Sequence, residues 1–97
     1  MKLFHRTQLA PAAVLAAADG YFATLGLATT GNAPRERTYA GPLGTLRVSA
    51  VAEGGHYTFV QAESDQPGES RLDKNVKKFF VRLHTTADPR HALEAGY

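Results

Sequence analysis

Four histidines, His5, His56, His84 and His91, are the side chains best suited to proton transfer or metal ligation. None stands four residues from another, so no helix turn would offer two imidazoles to one ion, and neither HExxH nor CxxC occurs. The chain has no cysteine, which removes thiolate nucleophiles, disulfides, zinc fingers and Cys-ligated clusters. A cysteine-free chain also fits a reducing compartment, so a cytoplasmic location is expected. Ser49, Ser64 and Ser70 lack the GxSxG surroundings of a serine nucleophile. The glycines of Gly41-Pro42-Leu43-Gly44 and Gly54-Gly55 match neither GxxxxGK[ST] nor GxGxxG and read as turn residues. The expectation is a protein without catalytic constellation, cofactor or metal. His56 would lie near Glu53 across a turn, as an exposed pair.

Charge offers a second kind of chemistry. Arg71, Lys74, Lys78 and Arg82 recur at helical spacing, with Lys77 nearby and only Asp73 to offset them. Such a stripe is either a solvated helix face or a surface for anions: nucleic acid, phospholipid headgroups or an acidic protein. The net charge of +2 is a weak argument for nucleic acid. Phe79 and Phe80 interrupt the basic residues, but their spacing assigns them to a core and not to base stacking.

The elements that must position these groups follow from patterning. Lys2 to Leu9 alternates loosely and reads as a first strand. Pro11 suits the first turn of a helix, where its missing N–H costs nothing. Val14, Leu15, Ala18, Tyr21, Phe22 and Leu25 fall on one side of that helix, and Gly26 is placed to end it in the left-handed conformation with Leu27 touching Phe22. The reverse side, with Ala12, Ala13, Ala16, Asp19, Gly20, Ala23 and Thr24, is small and almost uncharged. Ala28 to Pro34 reads as a loop. Arg35 to Gly41 forms a strand that turns through Pro42-Leu43, which sets Tyr39 opposite Leu46. Thr45 to Glu63 alternates on both sides of Gly54-Gly55, the signal for a two-residue hairpin turn that sets Glu53 opposite His56. That register puts Leu46, Val48, Ala50, Ala52, Tyr57 and Phe59 on the core face, with Gln61 and Glu63 beyond them. Ser70 caps a second helix with Asp73 at the third position, and Leu72, Val76, Phe79, Phe80 and Leu83 form its apolar stripe. Asp88-Pro89 should stop it, leaving a short tail to Tyr97.

One domain of residues 1–97 is therefore expected, of α+β class, in the order β-α-β-β-β-α. It is a four-stranded antiparallel sheet in the order 1-4-3-2 with two helices on one face. The start, MKLFHRTQLAPAAVLAAADG, has the basic, apolar and small-residue succession of a secretory signal. Polar His5 to Gln8 and Pro11 disturb that pattern, and the stretch is read as part of the domain. No apolar run reaches the roughly 20 residues of a membrane span.

The element order, the hairpin-rich middle GPLGTLRVSAVAEGGHYTFVQAE and the amphipathic SRLDKNVKKFFVRLH resemble a shortened member of the helix-grip and TBP-like group, which includes the START-like carriers. The resemblance implies a curved antiparallel sheet around a long last helix with an apolar cavity between them. It carries over no individual residue. On the chain's own core face, Tyr39, Val48, Phe59, Val76, Phe79 and Phe80 would line such a cavity, with Gln61 and Glu63 at its mouth. The leading reading is a non-catalytic interaction module that forms a homodimer or binds another protein through the outer sheet face and the Ala-rich side of the first helix. A carrier of a small apolar molecule comes second, and an anion or nucleic-acid binder using the basic stripe third.

Overall fold

The computed structural model describes residues 1–87. Asp88-Pro89 and the tail to Tyr97, including His91, lie outside the described residues. The elements are β1 (Lys2–Thr7), α1 (Pro11–Ala23), β2 (Ala28–Ala33), β3 (Glu36–Gly41), β4 (Gly44–Glu53), β5 (Tyr57–Ser64) and α2 (Arg71–Ala87). All strand pairs are antiparallel, and the sheet runs β1-β5-β4-β3-β2. Helix α1 lies over β2, β3 and β4, and α2 lies over β1 and β5.

The class is α+β with an antiparallel sheet and two helices. The sheet has five strands and not four, and its order differs from the expected one by the edge strand β2. The segment expected to be a loop, ATTGNA, pairs with β3 through a turn at Pro34-Arg35, so that Ala33 faces Glu36. Its register slips between Thr29 and Gly31. With no large apolar residue it shows no alternation, and it is held by its backbone ladder, by the Thr30 hydroxyl donating to Thr38 Oγ1 at 3.1 Å and by Arg37 donating to the Ala33 carbonyl.

Pro11 opens α1 as expected. At its end Gly26 takes φ +80°, and the Leu27 and Gly26 N–H groups donate to the carbonyls of Phe22 and Ala23, at 3.1 Å each. This is a Schellman termination, and it delivers Leu27 into the core beside Phe22. At the start of α2 the Asp73 N–H donates to Ser70 Oγ at 3.1 Å. The Asp73 carboxylate accepts from Glu69 N–H, one residue beyond the position a regular capping box would use. Lys77 Nζ lies 3.4 Å from the same carboxylate, whose side chain is fully buried.

The β3–β4 turn matches the sequence reading, with Tyr39 opposite Leu46 and Gly41 opposite Gly44. The β4–β5 hairpin does not. Gly54 and Gly55 reverse the backbone with φ of 63° and 81°, but His56 joins the turn, and Glu53 faces Tyr57. A one-residue change of register moves every side chain of β5 to the other face. Thr58, Val60 and Ala62 are buried with Leu46, Val48 and Ala50. Tyr57, Phe59, Gln61 and Glu63 therefore lie on the uncovered face, and Ala52 is exposed. The physical reason is the cost of the expected register, which would turn an amide and a carboxylate toward apolar helices. Small Thr58 and Ala62 instead leave room for the large rings of α1 and α2.

Those rings fill the core. Phe22 packs on Phe79 with centroids 5.1 Å apart and on Tyr39 at 5.5 Å. Leu72, Val76, Phe79, Phe80 and Leu83, the stripe read from the sequence, are all buried. No helix among the described residues is long and apolar enough to cross a membrane.

Candidate functional site

The residues expected to line one cavity divide between two places. Tyr39, Val48, Val76, Phe79 and Phe80 come together, as packed members of the core. Phe59, Gln61 and Glu63 stand on the opposite side of the sheet, moved there by the three-residue turn. The core group is joined to a polar tether that sequence reading missed. Tyr39 Oη donates to Asp19 Oδ1 at 2.8 Å, and Arg37 Nε lies 3.3 Å from Asp19 Oδ2. Arg37 also donates to the carbonyls of Ala33 and Glu36. Burial raises the Tyr39 pKa first, and the hydrogen bond to Asp19 raises it further, so the phenol stays protonated well past its usual range. One signal pointed there: Asp19 is the single charged residue of α1.

The uncovered face has its own order. Phe4 of β1 stacks on Phe59 of β5 with centroids 5.6 Å apart, and the Arg6 guanidinium lies 5.0 Å from the Phe59 ring centroid. Val51 stands directly opposite Phe59. Phe4, Val51 and Tyr57 are 56%, 49% and 50% exposed, large values for apolar residues. Charges of both signs interleave with them. Arg6 Nε lies 2.8 Å from Glu53 Oε1. Arg47 bridges Glu36 (3.3 Å) and Glu63, and Lys2 approaches Glu63 at 3.9 Å. Glu53 thus pairs with Arg6 and not with His56, which the turn carries away. Beside Arg47 a shallow hollow of about 420 Å³ is lined by Tyr39 and Leu46 together with Thr30, Thr38, Thr45, Glu63 and Asp65 among others.

On the other side of the molecule Arg71, Lys74, Lys78 and Arg82 are all exposed along α2, as the helical spacing required. Lys77 is drawn toward Asp73 and Glu69, at 3.4 and 3.8 Å.

His5 is the histidine with an unusual setting. Its ring stacks on Phe80 with centroids 5.0 Å apart, and its Nε2 is buried without a hydrogen-bond partner among the described residues. Burial lowers its pKa, and nearby His84 lowers it further. The fold therefore favours neutral His5. Its contribution is complete above the unfolded value of 6.5 and is lost as pH falls from there toward the depressed folded value. Urea midpoints are expected to drop between neutral and mildly acidic pH, and the drop should be smaller in His5→Phe, which keeps the stack but has no proton to gain. Equal drops in both proteins would remove His5 as the cause.

Among the described residues, no group of three or more His, Asp or Glu side chains is placed to hold a metal ion. No family model, curated protein or solved structure matches the chain.

Proposed function

We propose that this chain is a small non-catalytic interaction module that binds a second copy of itself through the uncovered sheet face. The observation that carries the reading is the contiguous Phe4–Phe59–Val51 patch, with exposed Tyr57 at its end. Singly exposed apolar residues are ordinary, whereas a joined aromatic patch is a mark of association. A second copy suits it because Lys2, Arg6 and Arg47 alternate there with Glu36, Glu53 and Glu63. The face is neutral overall, so a second copy turned about a two-fold axis meets it without net repulsion. Five strands about 4.8 Å apart and some 20–30 Å long offer roughly 500–700 Å² per copy. That is near the low end of specific interfaces, about 600 Å² per partner, so the dimer is weak.

Sedimentation velocity should show monomer–dimer exchange at about 10 µM to 1 mM protein. Phe4→Glu, at a half-exposed position, should weaken the dimer at least about tenfold while lowering the melting temperature by a few degrees at most. A strict monomer across that range would remove the proposal.

A second reading has its own observation. Helix α2 carries five basic residues against Asp73, a net +4 in a chain whose total is +2. That concentration of charge supports an anionic partner for the Arg71–Lys74–Lys78–Arg82 row. Its binding would weaken steeply with salt. Indifference to added DNA and to anionic liposomes at low salt would eliminate it.

A further inference from the structure

Between the two helices, on the side away from the sheet, runs a groove of about 360 Å³. Its floor is Phe79 and Leu83 of α2, and one wall is Ala17, Gly20 and Tyr21 of α1. Its volume falls within the roughly 300–1,000 Å³ of small-molecule sites, at the small end. Three features distinguish it from a gap between helices. Gly20 leaves space: a Cβ built there meets no atom within 4 Å. Tyr21 is held in place, its hydroxyl donating to Asn75 Oδ1 at 3.3 Å and its ring lying 5.7 Å from Phe79. Arg82 lines the groove with its guanidinium 5.3 Å from the Tyr21 ring centroid, and no carboxylate among the described residues pairs with it. Arg6, Arg37 and Arg47 each have one, whereas Arg35 and Arg71, like Arg82, have none among the described residues, so it is the aromatic ring beside it that sets Arg82 apart.

We infer that this groove binds a small anion with an aromatic body: the ring enters over Phe79 and Leu83 beside Gly20, and the anionic head pairs with Arg82. The geometry matches the chemistry on both counts. The apolar floor removes ring surface from water, and the planar fork of an arginine held against an aromatic ring suits a carboxylate or phosphate. Ring and charge must be joined in one molecule, because a cation on an open surface gains little from a free anion.

Phenylacetate is a fitting probe, with neutral, isosteric phenylacetamide as its control and phenyl phosphate as the second anionic head. Titration followed by amide and side-chain NMR shifts should localise phenylacetate or phenyl phosphate to Ala17, Gly20, Tyr21, Phe79, Arg82 and Leu83, with Kd at or below about 1 mM. Whichever anion binds more tightly identifies the preferred head. Phenylacetamide and Arg82→Gln should each weaken binding about tenfold. Gly20→Leu should abolish the shifts by filling the groove. Leucine favours a helix interior over glycine, so that variant should melt no lower than the parent, and loss of binding could not be assigned to unfolding. Failure of both anions to shift these residues up to about 10 mM would overturn the proposal. So would binding undiminished in Gly20→Leu, or phenylacetamide binding as well as phenylacetate.

Discussion

Phe79→Ala is expected to cost about 3–5 kcal/mol, within the range for truncating a buried phenylalanine. Phe79 is 1% exposed and lies where the two helices and the sheet meet, with Phe22, Tyr21 and Phe80 rings at 5.1, 5.7 and 6.2 Å. Its neighbours belong to different elements, so they cannot all close on the space left behind. A domain of this size has a total stability of roughly 5–15 kcal/mol, and the loss should lower the melting temperature by about 15–30 °C. Phe4→Ala removes the same atoms from an exposed position and should shift it by a few degrees at most. Thermal unfolding followed by circular dichroism separates the two. Near-equal melting temperatures for both variants would mean that the core is not centred on Phe79.

Asp19→Ala should cost about 2 kcal/mol, although Asp19 is itself only half-buried. The reason lies in what it leaves behind. The buried Tyr39 hydroxyl loses its acceptor, and Arg37, largely covered, loses its carboxylate. Tyr39→Phe removes donor and demand together and should be milder. Adding Tyr39→Phe to Asp19→Ala should therefore cost less than the sum, by about 1 kcal/mol in a double-mutant cycle from urea unfolding. Strict additivity would show that the two groups do not act as a pair.

The parts of the fold legible in the sequence are those with local, redundant signals. The Leu72-to-Leu83 stripe repeats over three turns, Gly26 has a conformational reason to end α1, and Pro42-Leu43 permits one close pairing, which sets Tyr39 against Leu46. Elements without such signals were lost. Strand β2 is defined by backbone pairing with β3, and its six residues carry no buried side-chain pattern. The face of β5 is ambiguous in the sequence because Gly54-Gly55 serves a two-residue and a three-residue turn equally well. Both faces of YTFVQAES also carry apolar residues, so alternation could not choose between them. That single ambiguity removed Phe59, Gln61 and Glu63 from the expected pocket and created the aromatic patch outside. Asp19 is missed for another reason: the helical wheel groups it with the small residues of the reverse side, and only the distant Tyr39 and Arg37 show that it serves the core.

The hairpin therefore acts as a length gauge. Replacing His56 with another polar residue leaves the count intact, and the strand keeps its orientation. Deleting any one of Gly54, Gly55 or His56 shortens the span by one unit and presents the chain with two incompatible demands: pair in the tighter register and invert an entire strand, or keep the strand and strain the bend. Inherited variation at this tip should accordingly favour substitutions over single-residue insertions and deletions.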